Sequence, residues 1–353
     1  MTDAFVLGGV RTPVGRYGGS LSHVRVDDLL GRTMAPPASG SGSHSIASRT
    51  SFAGCVNPAH EGMGDIARWA APAAGFPDSV PAITVNRFCA SSLSAAISIA
   101  HAIRSDELSV GLAAGVESMS RSGWALMKGE APFFPRGPVL TLDTMWAGAG
   151  GPPHPALLAR NAYIEMMQTA QRVADLYGLT REEIDAFALR SHQRAAAARD
   201  SGRVAAEIHS IEIPASRNQP ARTFEHDGSI RGDTTAEALA ALPPQPDTTQ
   251  MTAGNSSPLN DGASAVVLAS AAAAEQLGVE PLARVVASAT HALDPQVMGI
   301  APTFAIPKAL KRAALAPADS TCGRSTRPTP PRHSGFSASC RASWTASPSR
   351  TSA

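Results

Sequence analysis

The stretch Ile83-Thr-Val-Asn-Arg-Phe-Cys-Ala-Ser-Ser-Leu-Ser-Ala-Ala-Ile-Ser-Ile-Ala100 decides how this chain is read. Ile83, Thr84 and Val85 are β-branched, a short strand signal. Leu93, Ala96, Ile97 and Ala100 then fall at i, i+3, i+4 and i+7, which is one face of a helix. Cys89 is therefore expected at a strand-to-helix turn, with the helix starting at or just after it. The unpaired N–H groups of a helix start, and the dipole behind them, favour negative charge there. A thiolate is the nucleophilic form of cysteine, so this position suits a nucleophile. The competing reading is a small packed hydrophobe, since free cysteine is often buried.

On the C-terminal side, Ser109-Val-Gly-Leu-Ala-Ala-Gly-Val116 is a near-continuous apolar run, as expected of a buried parallel strand. Strand, helix, strand makes a βαβ unit and predicts an α/β fold. On the N-terminal side, Ala4–Val10 and Phe52–Val56 read as strands, Val26–Met34 as the start of a helix, and Asp65–Ala71 as a short helix. Cys55 reads as a packed strand residue and His60 as part of a solvated loop. Residues 35–51 are low-complexity loop by composition, and Pro36-Pro37 should end the preceding helix. Further on, Leu157–Gly178 and Thr180–Ser201 read as helices, the second with Glu182 and Glu183 suited to its first turn. Ile208–Ile213 alternates like a strand. Gly254–Gly262 reads as a polar loop held by Asn255 and Asn260, ahead of an apolar strand over Ala263–Ala269. Ala271–Leu277 is a helix ended by Gly278. Ala283–Ala289 is a strand, and Lys308–Ala314 a helix.

The 353 residues are too many for one small core. With 43% hydrophobic and 17% charged residues the chain can fold as a globule, and a net charge of +1 gives no reason to invoke nucleic acid or a membrane surface. Its four cysteines show no metal-ligand spacing, so a reducing, cytoplasmic setting is the simplest reading. The first residues show no secretion signal, and no run of about twenty apolar residues predicts a membrane span.

Four motifs in one order carry a resemblance: Arg11-Thr-Pro-Val-Gly-Arg16, Val85-Asn-Arg-Phe-Cys-Ala-Ser-Ser-Leu93, Gly115-Val-Glu-Ser-Met-Ser120 and Thr252-Ala-Gly-Asn-Ser-Ser-Pro-Leu-Asn-Asp-Gly-Ala263. Together they resemble the thiolases, enzymes that make or split 3-oxoacyl-CoA. The resemblance implies a layered αβαβα fold with an inserted loop domain. Residues 1–120 and 250–270 would form the N-terminal half, 121–249 the inserted domain, and 271–319 the start of a truncated C-terminal half. It implies acyl transfer through a thioester on Cys89, with coenzyme A as co-substrate and no permanently bound cofactor. Arg231, within Arg231-Gly-Asp-Thr-Thr235, would lie near the nucleotide end of CoA, and Ser257 beside the pantetheine arm. A surface turn and a plain turn serine are the respective alternatives. It further implies a role in lipid and fatty-acid metabolism and a homodimer or dimer of dimers.

The resemblance stops near Asp319. Beyond Leu315 there is no Leu, Ile, Val or Met, beyond Asp319 no acid, and five arginines follow among Ser, Thr, Pro and Ala. Such composition predicts disorder over 320–353 and matches G+C-rich coding sequence read out of frame, as does 35–51. The family's His of a Gly-His-Pro motif, Cys of a Gly-rich motif and Asn of an Asn-Glu-Ala-Phe motif have no counterparts in these residues. His333, Cys322 and Cys340 lack the matching context. The reading therefore has two branches: a thiolase-type acyltransferase, or a non-catalytic remnant that at most dimerises or binds CoA weakly.

Overall fold

The computed structural model describes residues 2–39, 50–126, 141–145, 154–162, 164–215 and 220–317. The expected tail from 320, with Cys322, His333 and Cys340, lies outside these residues, as does most of 35–51.

In chain order the chain begins with β1 (Ala4–Arg11), β2 (Gly15–Arg16) and α1 (Val26–Ser39). Next come β3 (Ser51–Gly54), α2 (Ile66–Ala73), β4 (Ala82–Val85), α3 (Ser91–Arg104) and β5 (Val110–Ser118). Short β6 (Trp124–Leu126) and β7 (Thr141–Asp143) precede α4 (Pro155–Ala159), α5 (Met166–Leu176) and α6 (Arg181–Asp200). Then follow β8 (Ile211–Ile213), β9 (Arg222–Phe224), α7 (Ala236–Ala240), β10 (Asn260–Ser270), α8 (Ala271–Leu277), β11 (Ala283–Arg284) and α9 (Ala301–Arg312).

The chain divides into two compact units. The first comprises the described residues within 1–152, 202–229 and 259–285, and the second those within 153–201, 230–258 and 286–317. The first unit is built on a seven-stranded sheet in the order β11-β1-β10-β5-β3-β4, with β2 pairing β10. β3 runs parallel to both β4 and β5, whereas β10 is antiparallel to β5 and β1. Side chains alternate across the sheet. Leu112, Ala114 and Val116 of β5, with Ala265 and Val267 of β10, pack on Leu29, Leu30 and Met34 of α1 and Ile66 and Ala70 of α2. Ala113 and Leu268, one step along, pack on Ala95, Ile99 and Ile103 of α3. The result is helix, sheet, helix, so the α/β expectation holds. Among the described residues no helix is long and apolar enough to cross a membrane.

The second unit has a small core of Ala170, Ala174, Ile184 and Met251, flanked by Met167 and Leu179. A capping box starts α6: Thr180 Oγ1 accepts the Glu183 N–H at 3.3 Å and Glu183 Oε2 accepts the Thr180 N–H at 2.9 Å.

Several local expectations change. α1 runs through Pro36-Pro37 to Ser39: proline's fixed φ is compatible with a helix, and only the last turn forgoes the two N–H donors. The buried face of α3 is Ser91, Ser94, Ala95, Ile99, Ala100 and Ile103: Ala100 of the expected face is buried, while Leu93 is 64% exposed. The single helix read over 157–178 is two, with Asn161 between them in a left-handed conformation (φ 48°). β10 starts at Asn260, inside the expected loop, and β11 is only two residues long. α9 starts at Ala301, with Pro302 in its first turn, where proline is tolerated. α8 ends as read, on Gly278 in the left-handed region (φ 65°).

Candidate active site

The turn between β4 and α3 is held by its own polar groups. Asn86 Oδ1 accepts the Phe88 N–H at 3.0 Å, and its Nδ2 donates to the Val56 carbonyl at 2.8 Å. Ser91 Oγ accepts the Arg87 N–H at 2.8 Å and donates to the Phe88 carbonyl at 2.6 Å. Phe88 sits at φ 48°, a conformation uncommon for a bulky residue, which the surrounding bonds impose. Cys89 follows directly and is exposed. α3 begins two residues later, so the thiol stands beside a helix start, as the strand–turn–helix reading requires.

Two glycines let α3 begin there. Gly54 of β3 and Gly115 of β5 face each other in register. A Cβ on Gly54 would lie 2.3 Å from the Ser92 nitrogen and 2.5 Å from the Ser91 carbonyl carbon, and one on Gly115 would lie 1.9 Å from Ser92 Oγ. Only residues without a Cβ allow the helix to rest its first turn on the sheet this closely.

Cys55 is buried, and burial, followed by the nearby Glu117 charge, pushes its thiol up to about 12. The packed reading of Cys55 is therefore the structural one. Glu117 is partly buried, and burial raises its carboxyl above the usual range against the two backbone N–H groups it accepts, from Val56 at 2.8 Å and Asn57 at 3.1 Å.

Arg231 and Ser257 belong to the second unit, and both are exposed. The Arg231 N–H donates to Nδ1 of His192 at 3.3 Å. Burial, and then the Arg231 charge, lower the His192 pKa. His192 stands out in the structure but not in the sequence, where it is one of several polar residues on a helix. Asn255 holds its loop, as read: Oδ1 accepts the Thr252 N–H at 2.8 Å, and Nδ2 donates to Asp185 Oδ1 at 2.8 Å and to the Gln250 carbonyl at 2.9 Å. Asn260 lies on β10 and accepts from Ser229 at 2.9 Å. No cluster of three or more His, Cys, Asp or Glu suited to a metal ion occurs among the described residues.

The family described as "Thiolase, N-terminal domain" matches residues 4–272, which include the Cys89 turn, both glycines and the whole of β10. The chain belongs to the thiolase family. A beta-ketoadipyl-CoA thiolase of Pseudomonas aeruginosa is 43% identical over 319 residues, 89% of this chain and 77% of the relative. A 3-oxoadipyl-CoA/3-oxo-5,6-dehydrosuberyl-CoA thiolase of Escherichia coli is 37% identical over 322 residues, 89% and 78% of the two chains. Among solved structures, the acetyl-CoA acetyltransferase of Bacillus anthracis superposes with a TM-score of 0.87 at 32% identity, covering 97% of this thiolase chain and 84% of that one. Human mitochondrial 3-ketoacyl-CoA thiolase in complex with CoA gives a TM-score of 0.86 at 30% identity, covering 96% and 83%. The fold is thus the thiolase fold.

Proposed function

We propose that this chain is a thiolase-type acyl-CoA C-acyltransferase with Cys89 as its nucleophile. The observation that carries the reading is the exposed Cys89 thiol at the start of α3, within the stretch matched to the family. In the thiolytic direction the Cys89 thiolate attacks the 3-oxo carbon of a 3-oxoacyl-CoA. The bond between C2 and C3 breaks, and its electron pair stays on C2. Protonation of C2 releases acetyl-CoA and leaves an acyl thioester on Cys89. Free CoA then attacks that thioester, restoring the thiol and releasing a shortened acyl-CoA. Each stage needs proton transfer to or from sulfur or C2, and donors for the oxyanions that form.

In this reading Arg231 recognises the phosphates at the nucleotide end of CoA, as guanidinium groups do, and Ser257 lies along the pantetheine arm. Residues 121–249 form the inserted domain between the parts of the N-terminal half at 1–120 and 250–270. The names of the relatives at 43% and 37% identity favour a 3-oxoadipyl-CoA-like acyl group. A homodimer fits the open edge of β4, where Ile83 is 47% exposed, and the neighbouring Phe88 and Leu93, at 74% and 64%.

A second reading has a specific sequence feature behind it. The 353 residues contain no Gly-His-Pro motif and no Gly-rich Cys motif to supply the base and the second acid. On that reading the chain binds CoA or dimerises without turnover. The deciding experiment combines acyl transfer from 3-oxoadipyl-CoA or acetoacetyl-CoA to CoA with mass spectrometry of the Cys89 peptide. Turnover that disappears in Cys89→Ala supports the acyltransferase. Acylated Cys89 without turnover supports a nucleophile pocket lacking its acid–base half. No acylation overturns the role given to Cys89.

A further inference from the structure

We propose that Glu117 is a positioning residue for the Cys89 turn, acting through the peptide unit between Val56 and Asn57 and through the Asn86 amide. Glu117 is the penultimate residue of β5. Its Oε2 accepts the Val56 N–H at 2.8 Å and its Oε1 the Asn57 N–H at 3.1 Å. The Asn57 N–H and the Val56 carbonyl belong to one planar peptide group. That carbonyl accepts Asn86 Nδ2 at 2.8 Å. The group is therefore clamped at both ends, by a carboxylate on its N–H and an amide donor on its oxygen. Hydrogen bonds arranged head to tail in this way polarise one another, so the carboxylate makes the Val56 oxygen a better acceptor. Asn86 Oδ1 then fixes the Phe88 N–H at 3.0 Å, immediately before the thiol, where Phe88 is held at φ 48°.

The glutamate thus reaches the nucleophile by a continuous path: carboxylate, peptide 56–57, Asn86 amide, Phe88 backbone. Both oxygens of Glu117 act as acceptors toward backbone N–H groups, a task that glutamine meets with only one oxygen. A partly buried carboxylate is costly to keep. Its expense here is matched by a geometric result at the turn that presents sulfur. The inference rests on the reading of Cys89 as nucleophile, so its test includes a measurement independent of that reading.

The full chain is compared with Glu117→Gln, Asn86→Ala and the double variant. Three quantities are read: acylation of Cys89 by acetoacetyl-CoA, alkylation of Cys89 by iodoacetamide, and the thermal unfolding midpoint. Loss of orientation at a reacting group commonly costs about tenfold to a hundredfold in rate. Each single variant is expected to slow acylation by that order, and the double variant no more than the slower single, because all act on one path. Asn86 is exposed, so Asn86→Ala is expected to leave the midpoint in place. Acylation of Asn86→Ala at the unaltered rate, or single effects that multiply in the double variant, would overturn the proposal. If Glu117→Gln melts below the assay temperature, Glu117→Asp replaces it: charge is retained but the oxygens retreat, and the same non-additivity with Asn86→Ala is required. If the unaltered chain is alkylated but never acylated, the nucleophile reading fails. The alkylation rates then decide the positioning path by the same comparison.

Discussion

Cys55 and Cys89 differ in chemistry because of where the backbone leaves them. Cys55 follows β3 into the core beside Glu117, and with its thiol pushed up to about 12 it carries almost no thiolate near neutral pH. Iodoacetamide should label Cys89 in the folded chain and leave Cys55 untouched until denaturant is added, which peptide mass spectrometry reads directly. Gly54 gives a second prediction at this scale. A methyl group there meets backbone atoms of Ser91 and Ser92, which cannot rotate away, whereas at Gly115 the first atom met is the Ser92 hydroxyl. Gly54→Ala should therefore cost about 1–3 kcal/mol, more than Gly115→Ala, as measured by urea midpoints. The Cys89 position was legible in the sequence because a strand signal, a turn and a helix signal are local. The parts played by Asn86 and Glu117 were not, although both lie inside motifs noted there, since each depends on the distant Val56–Asn57 peptide.

Among the elements, α3 shows how periodicity can place a helix face only in part. Of the expected stripe Ala100 is buried but Leu93 is exposed, and the rest of the buried side is Ser91, Ser94, Ala95, Ile99 and Ile103. The strands beneath present glycines at Gly54, Gly111 and Gly115, and a Cβ on Gly111 would stand 2.7 Å from Ile99. The glycines let the helix come this close: Ser91 and Ser92 lie over Gly54 and Gly115, and Ile99 lies over Gly111. In α6 the start was legible from its acids, and the capping box adds the partner. Thr180→Ala should lower stability by about 1 kcal/mol, read as faster amide exchange in the first turn of α6. The same helix carries His192, whose pKa is lowered by burial and then by Arg231, with Asp233 opposing them. Unfolded histidine takes up its proton first as pH falls below the ordinary range near ~6.5. Stability should therefore decline on acidification through that range, down to the lowered folded value. Thermal unfolding across it should be flatter in His192→Gln, which accepts the Arg231 N–H without titrating.

For the whole molecule, the sheet order is what a local reading could not supply. β5 was read as a parallel strand. It is parallel to β3, but its other neighbour is the antiparallel β10, reached only after the residues of the second unit have intervened. Hydrophobic alternation says which face of a strand is covered and nothing about which strand lies beside it. Arg121 ties this unit together more widely. It bonds both carboxylate oxygens of Glu61 and reaches the Ser22 carbonyl at 3.2 Å. The Arg121 hydrogen bond is the largest cause holding Glu61 below the usual carboxylate range. Its contribution is present above the ordinary glutamate value and is lost as pH falls through the lowered one. Arg121→Met should cost about 1–3 kcal/mol near neutral pH and remove that share of the acid limb, as followed by denaturant titrations at several pH values.

The facing pair Gly54 and Gly115 also has a consequence for heredity. Every glycine codon opens with the same two bases, and any change to either base encodes a residue that carries a Cβ or a stop. At these two positions no single-base replacement of glycine yields a residue that the first turn of α3 can rest against unmoved. Here the gene has silent alternatives but no conservative ones.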